Sequence, residues 1–327
     1  MILVAGLETA GGLGLLLFGG ELLLRGAVAL ARRFGLSKLL IGLTVVAAAT
    51  SMPELVVVVA TGVEGVPDVG VGNVVGSNIA NVLLILGVGA IFFPVLTRPS
   101  DVLRDGFAVF VASALFVVFA LAGQLVWWHG LIMLSLLIGY IGFSYGQERR
   151  RNGRAEGESL GQEDEEVGVP TSCLAALLFL ALGVAGLVVG SDLLVDGAVT
   201  IAHAAGVSDA VIGLTLVAVG TSLPELATAI VAGLRHHTEV ALGNVLGSNL
   251  FNILAVLSAL TFTLPFEVAA ELMQVDIWIM LGVSVILLPV MATGWRIGRL
   301  EGASFLTLYA CYIAWQFHRM PEVAMAG

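Results

Sequence analysis

Two glutamates stand where a carboxylate is costly. Glu54 ends the run Gly42-Leu-Thr-Val-Val-Ala-Ala-Ala-Thr-Ser-Met-Pro-Glu54, and Glu225 ends Gly213-Leu-Thr-Leu-Val-Ala-Val-Gly-Thr-Ser-Leu-Pro-Glu225. Each run is apolar, helix-length sequence interrupted by Thr-Ser-x-Pro-Glu, which predicts a carboxylate beside a helix break inside hydrophobic sequence. A charge is expensive in hydrocarbon, so a glutamate there marks a functional site. A span boundary with a solvated carboxylate is the plainer reading, but apolar sequence continues past Glu54 through Val63.

The chemistry on offer is cation binding by oxygen. Pro53 has no N–H for the carbonyl of Ala49, and Pro224 frees that of Gly220. The disturbed turn also exposes carbonyls such as those of Ala47 and Ala218. Irregular backbone survives at membrane depth only when buried in protein or lining a wet cavity. With the hydroxyls of Thr50, Ser51, Thr221 and Ser222 and the two carboxylates, the carbonyls make an oxygen-only set. Hard cations require such a set, and Ca²⁺ takes about 6–8 oxygens. The motifs hold no His or Cys, which argues against Zn²⁺, Cu or Fe.

A second motif follows each glutamate: Gly72-Asn-Val-Val-Gly-Ser-Asn-Ile-Ala-Asn81 and Gly243-Asn-Val-Leu-Gly-Ser-Asn-Leu-Phe-Asn252. Ser77 and Asn81 share one helix face by their spacing, as do Ser248 and Asn252. Gly72 and Gly76 would let the glutamate-bearing helix approach closely. Four helices would then present two Glu, two Asn and several hydroxyls to one centre.

The elements that must position these groups are membrane spans. The 327 residues are 58% hydrophobic and 12% charged, and repeated apolar runs of 18 or more residues read as spans. Ten are expected, at 9–31, 37–63, 69–93, 105–122, 125–145, 171–201, 208–233, 239–262, 272–293 and 302–317. The N-terminus lacks a basic leader region, so the first run reads as a retained span. Residues 147–170 are polar and read as a flexible linker.

The chain also repeats itself. An offset of 171 maps Gly42 onto Gly213, Glu54 onto Glu225 and Asn81 onto Asn252. Nine of thirteen positions agree between 42–54 and 213–225, and eight of twelve between 72–83 and 243–254. This is duplication of a five-span unit, 1–146 and 171–327. An odd number of spans inverts the second copy, the arrangement of secondary transporters with a midplane site. The expected fold is therefore an all-α polytopic membrane protein, ten helices in two inverted five-helix repeats. Twelve of the fourteen Lys and Arg fall in connections after spans 1, 3, 5, 7 and 9. Those connections are expected in the cytoplasm, with both termini outside.

Other polar residues have plainer readings. Glu21 and Asp192 correspond across the repeat and read as structural groups at span ends; Arg25, matched to Asp196, suggests an ion pair. His129, His203, His236, His237 and His318 read as solvated, Trp127 and Trp128 as interfacial anchors, and Cys173 and Cys311 as small buried hydrophobes. Gly11-Gly-Leu-Gly14 reads as helix packing. Scattered basic residues point to no nucleic acid, and no obligate protein partner is indicated.

In these motifs the chain resembles the calcium:cation antiporter superfamily, most closely the prokaryotic type of its sodium/calcium exchanger branch, over nearly its whole length. The resemblance implies that the first and sixth spans slide as a pair against a core that holds the ions. It implies Ca²⁺ binding by Glu54 and Glu225 with Thr50, Thr221 and the carbonyls near Ala47 and Ala218. It implies Na⁺ sites drawing on Ser51, Ser222, Ser77, Ser248 and the same glutamates, with no cofactor. Exchangers of this branch commonly carry Asp at the last position of the second motif, where this chain has Asn252. The set then holds two negative charges, enough for one Ca²⁺, and H⁺ stays open as the counter-ion. The expectation is a Ca²⁺-exporting antiporter of the cell (inner) membrane, driven by Na⁺, with Ca²⁺/H⁺ exchange as the alternative. An intramembrane hydrolase could also use paired carboxylates, but the matched repeats and surrounding hydroxyls fit an enzyme poorly; a passive channel would show flux independent of any counter-ion gradient.

Overall fold

The computed structural model describes residues 2–97, 99, 102–155, 169–204 and 220–326. Among these the chain is almost wholly helical, because a backbone in hydrocarbon must satisfy its hydrogen bonds within each segment. The helices are α1 (Ile2–Phe34), α2 (Lys38–Thr50), α3 (Met52–Glu64), α4 (Pro67–Phe92), α5 (Arg104–Leu121), α6 (Trp127–Ala155), α7 (Cys173–Ala204), α8 (Leu223–Leu234), α9 (Thr238–Thr263), α10 (Leu272–Trp295) and α11 (Arg299–Ala326). Seven helices among the described residues are long and apolar enough to cross a membrane, and the bent pair α2–α3 makes an eighth.

The expected spans map onto these helices with three differences. The stretch 37–63 is two helices, bent by 43° where α2 gives way to α3. The fifth span does not end at 145: Gln147-Glu-Arg-Arg-Arg are good helix formers, and α6 runs on to Ala155, so the polar stretch begins as helix rather than linker. Residues 208–219 of the expected span 208–233 lie outside the described residues; its second half carries α8.

Two layers of burial organise the bundle. Within their most apolar stretches α4 is 72% buried and α9 78%, against 22% for α1 and for α7. The first pair is core and the second is peripheral. At 33 and 32 residues, α1 and α7 reach roughly 50 Å, longer than the ~30 Å of hydrocarbon, which leaves length to tilt or to extend past the bilayer. They pack antiparallel, backbone against backbone, through glycines seven apart. A Cβ on Gly19 would meet Leu187 N at 2.7 Å and Gly183 O at 2.8 Å, and one on Gly190 would meet Leu16 N at 2.8 Å. Gly12, Gly26, Gly183 and Gly197 are equally tight, whereas Gly11 and Gly14 meet nothing within 4 Å. The result is a seam with almost no side-chain relief.

The core crosses between the two halves of the sequence. Gly42 of α2 lies against the backbone of Val240 at the start of α9, and Gly243 and Gly247 of α9 lie against Leu39 and Leu43. Gly72 and Gly76, expected to allow a similar approach, meet nothing within 4 Å among the described residues. Among the described residues five π-type turns interrupt the helices: Gly42–Val46 in α2, Asn81–Leu86 in α4, Val102–Gly106 at the start of α5, Asn252–Val256 in α9 and Leu272–Asp276 in α10. Such turns insert a residue and re-aim side chains, and they gather at functional sites. Two of them begin at the motif asparagines.

Short extended pairs tie the ends of spans together. β1 (Val95–Leu96) runs antiparallel to β2 (Arg296–Ile297), and Leu125 bridges Phe266. Some peripheral expectations are corrected. His129 is buried rather than solvated: its ring stacks on Trp128 and its Nδ1 accepts from the Val126 amide at 3.0 Å. His237 is buried as well. Cys173 is half-buried and Cys311 exposed on α11, both as free thiols. Arg25 pairs with Glu21 on its own helix at 2.6 Å.

Candidate functional site

Each glutamate sits in the first turn of a helix that restarts after a break. Ser51 (φ −83°, ψ 6°) and Ser222 (φ −88°, ψ 2°) leave the helical region for the sparsely populated bridge region. The cause lies two residues on. Pro53 and Pro224 cannot donate backward, yet both fit the opening turn of a new helix, whose N–H groups have no internal partners in any case. Glu54 and Glu225 come next, at the positive ends of the α3 and α8 dipoles.

Both carboxylates are buried, with Glu54 1% exposed and Glu225 fully enclosed at 0%. The two lie close enough that a charge on Glu225 disfavours one on Glu54. Ser248 Oγ of α9 donates to Glu225 Oε1 at 3.4 Å, and Thr50 Oγ1 of α2 lies 3.4 Å from Ser248 Oγ and donates to Asn244 Oδ1 at 3.1 Å. Asn73 Nδ2 of α4 reaches Thr221 Oγ1 at 3.4 Å. Asn81 Nδ2 donates to Asn249 Oδ1 at 3.1 Å, where α4 crosses α9. Groups from both halves of the sequence thus interleave.

What these groups lack is as informative. Among the described residues, fourteen buried side-chain nitrogen and oxygen atoms have no hydrogen-bond partner, and all but Ser144 Oγ belong to the two motif pairs. They include both oxygens of Glu54, Oε2 of Glu225, the hydroxyls of Ser51, Ser77 and Ser222, Oδ1 of Asn81 and both ends of the Asn252 amide. An unmet buried polar group costs about 1–3 kcal/mol, so their concentration in one place needs a reason other than folding. A cradle of oxygens around two carboxylates meets the demands of a hard cation. Nowhere among the described residues do three His, Cys, Asp or Glu side chains converge, so the cradle relies on hydroxyls and amides for its remaining donors.

Of the residues expected to take part, Glu54, Glu225, Thr50, Ser51, Ser222, Ser77, Ser248, Asn81 and Asn252 are buried with the motif helices. Thr221 is half-buried and also lines a cavity of about 320 Å³ with Pro53, Val57 and Gly220. The Ala47 carbonyl is partly engaged, accepting from the Ser51 amide at 3.0 Å and from Thr50 Oγ1 at 3.4 Å. Ala218 lies outside the described residues. The carbonyl of Gly220, freed by Pro224, is claimed by Ser191 Oγ of α7 at 2.7 Å. Ser191 carries no motif and was not singled out in the sequence. Asn73, Asn78, Asn244 and Asn249 were overlooked as well. The four-residue spacing that selected Ser77 and Asn81 continues back to Asn73, and from Ser248 back to Asn244, so that signal was present.

Comparison with known proteins agrees with this architecture. The sequence profile described as "Sodium/calcium exchanger protein" matches residues 7–146 and 175–318. The sodium/calcium exchanger MaX1 of Methanosarcina acetivorans is 32% identical over 94% of this chain and 97% of its own. The inner membrane protein YrbG of Escherichia coli is 36% identical over 84% of this chain and 85% of its own. Among solved structures, the sodium-calcium exchanger NCX_Mj soaked with Na⁺ and Sr²⁺ superposes with a TM-score of 0.80 at 32% identity, covering 96% of this chain and 99% of that one.

Proposed function

The chain belongs to the sodium/calcium exchanger protein family, and on that premise we propose that it exports Ca²⁺ in exchange for Na⁺ at the Glu54/Glu225 site. The observation that carries this is the set of unpartnered buried oxygens gathered around two opposed carboxylates. In this reading Glu54 and Glu225 supply the two negative charges that balance one Ca²⁺. Thr50, Thr221 and the carbonyls near Ala47 and Ala218 complete its oxygens. Ser51, Ser222, Ser77 and Ser248, with the same glutamates, serve Na⁺, and Asn81 and Asn252 add neutral amide oxygens. One cage cannot hold both loads fully. A bare pair of buried charges resists closure, and either load neutralises it, so the path opens to one side or the other only when an ion is carried.

We read the fold as ten spans in two inverted units, 1–146 and 171–327, joined by 147–170. Residues related by a pseudo-two-fold meet where they lie on its axis. Ser113 Oγ stands 2.9 Å from Ser284 Oγ, and the two are 171 positions apart. The π-type turns at Asn81 and Asn252 are the same 171 apart. Placement of Lys and Arg supports a cytoplasmic side at the connections after odd-numbered spans, in the cell (inner) membrane.

The test is ⁴⁵Ca²⁺ uptake into proteoliposomes under an outward Na⁺ gradient or an outward H⁺ gradient at clamped voltage. Uptake driven by Na⁺ alone is the expected result. Uptake driven by H⁺ alone would overturn Na⁺ coupling and make the neutral Asn252 the reason. Uptake indifferent to both gradients would identify a channel.

A further inference from the structure

We infer that Glu21, Arg25 and Arg235 form a charged latch holding one mouth of the transport path shut, while the acids in the corresponding places hold the other mouth open. The inference rests on the reading above, in which the path opens to two sides in turn.

At the first mouth α1 lies directly on α8. The Arg235 guanidinium, at the end of α8, pairs with Glu21 of α1: its Nε donates to Oε2 at 2.9 Å and its Nη2 lies 2.6 Å from Oε1. Arg25, one turn along α1, donates to Glu21 Oε1 at 2.6 Å. The helices meet closely beneath this pair, since a Cβ on Gly20 would come within 3.3 Å of Val231 Cγ2. A carboxylate held by two guanidiniums is a stronger tie than one exposed ion pair.

The offset of 171 places Asp192 at the position of Glu21, Asp196 at that of Arg25, and Glu64 at that of Arg235. Both cations of the latch become acids. Here the helices part: a cavity of about 320 Å³ opens between α3 and α7, lined by Pro53, Val57, Val195, Asp192, Asp196 and Thr221. That cavity reaches Thr221 and Gly220 of the second glutamate motif, so it leads towards the candidate site. Sliding α1 and α7 as a pair past the core to close it would carry Asp192 towards Glu64, acid on acid. It would also pull Glu21 from Arg235. Both effects favour the arrangement seen here, so the two mouths are not equivalent although the helices around them are repeats.

The test is thiol accessibility in protein lacking Cys173 and Cys311, with one reporter at a time: Val195→Cys in the open mouth, or Leu24→Cys, its counterpart in the buried face of α1. With the latch intact the Val195→Cys reporter labels faster. Arg235→Gln should lower its labelling and raise that of the Leu24→Cys reporter, each by about fivefold, and Arg235→Lys should restore most of the difference. Glu64→Arg builds the missing cation opposite Asp192 and should shift labelling in the same direction as Arg235→Gln. Because that change lies at the other mouth, it tests the latch even where Arg235→Gln misfolds. Unchanged labelling in folded Glu64→Arg and Arg235→Gln protein would overturn the latch. Should labelling shift while no gradient drives Ca²⁺ flux, the latch stands and the exchange reading falls; driven flux without any shift has the opposite meaning.

Discussion

Replacing Glu54 or Glu225 by glutamine separates a transport site from a structural charge. Glutamine keeps the shape, removes one unit of negative charge, and turns one oxygen into an amide that repels a cation. The structure sets the direction for the ion-free protein. Among the described residues both oxygens of Glu54 and Oε2 of Glu225 lack a hydrogen-bond partner, Ser248 reaches Glu225 Oε1 only at 3.4 Å, and a charge on Glu225 disfavours one on Glu54. Removing one of them takes an unsupported charge out of a buried place, so the ion-free variants should melt at the native temperature or above it. Ca²⁺ binding moves the other way. Taking one partner from a buried, mutually neutralised set costs about 3–5 kcal/mol, which at ~1.4 kcal/mol per decade is roughly a 100- to 5,000-fold loss of affinity. Equilibrium dialysis with ⁴⁵Ca²⁺ reads the affinity, and thermal unfolding in chelator reads the stability of the ion-free protein. Affinity within about tenfold of native in either variant would refute the assignment of that glutamate. A lowered melting temperature without ligand would mean that the carboxylate is a structural element.

The other predictions follow from packing and hydrogen bonds. Gly19→Ala places a methyl 2.7–2.9 Å from the backbone of α7; overpacking of this kind costs about 1–3 kcal/mol, and exchange should slow at least tenfold while Ca²⁺ affinity stays near native in dialysis. Ser191→Ala leaves the Gly220 carbonyl without its donor, and thermal unfolding should show a loss of about 1–2 kcal/mol. Tyr312→Phe takes one donor from buried Asp276, to which the phenol donates at 2.9 Å. A destabilisation of about 1–2 kcal/mol is expected, without change in ion selectivity, and an unaltered melting temperature would show that the remaining partners of Asp276, Gln316 among them, suffice.

Much of the architecture was legible in the residues. Hydrocarbon tolerates no unpaired backbone, so apolar length alone marked where helices run, and the ends of α4, α5, α9 and α10 fall within two residues of those read from the sequence. The prolines two residues after Ser51 and Ser222 announced the breaks, because a missing N–H is a local fact. Burial of Glu54 and Glu225 followed from the same apolar context. Less legible was His129, whose burial depends on Trp128 and Phe119 closing over it. The length of α6 was misread because charged residues that form good helix also compose linkers.

Sequence by itself determined the helices, the internal repeat and which polar residues stand inside apolar sequence, the ones we propose bind the cation. Those properties depend on each segment and its solvent, which composition and spacing encode. Only the tertiary structure decided which groups meet: that α2 of one half lies on α9 of the other through Gly42, Gly243 and Gly247, bringing Thr50 to Ser248 and Ser248 to Glu225. It alone showed Ser191 capping Gly220, Arg235 reaching Glu21, and a cavity between α3 and α7 where their counterparts α8 and α1 touch. The physical reason is that lipid is as apolar as leucine. Hydropathy therefore places a helix in the membrane without choosing its neighbour, and the choice falls to shape and to a few polar contacts between residues far apart in the chain.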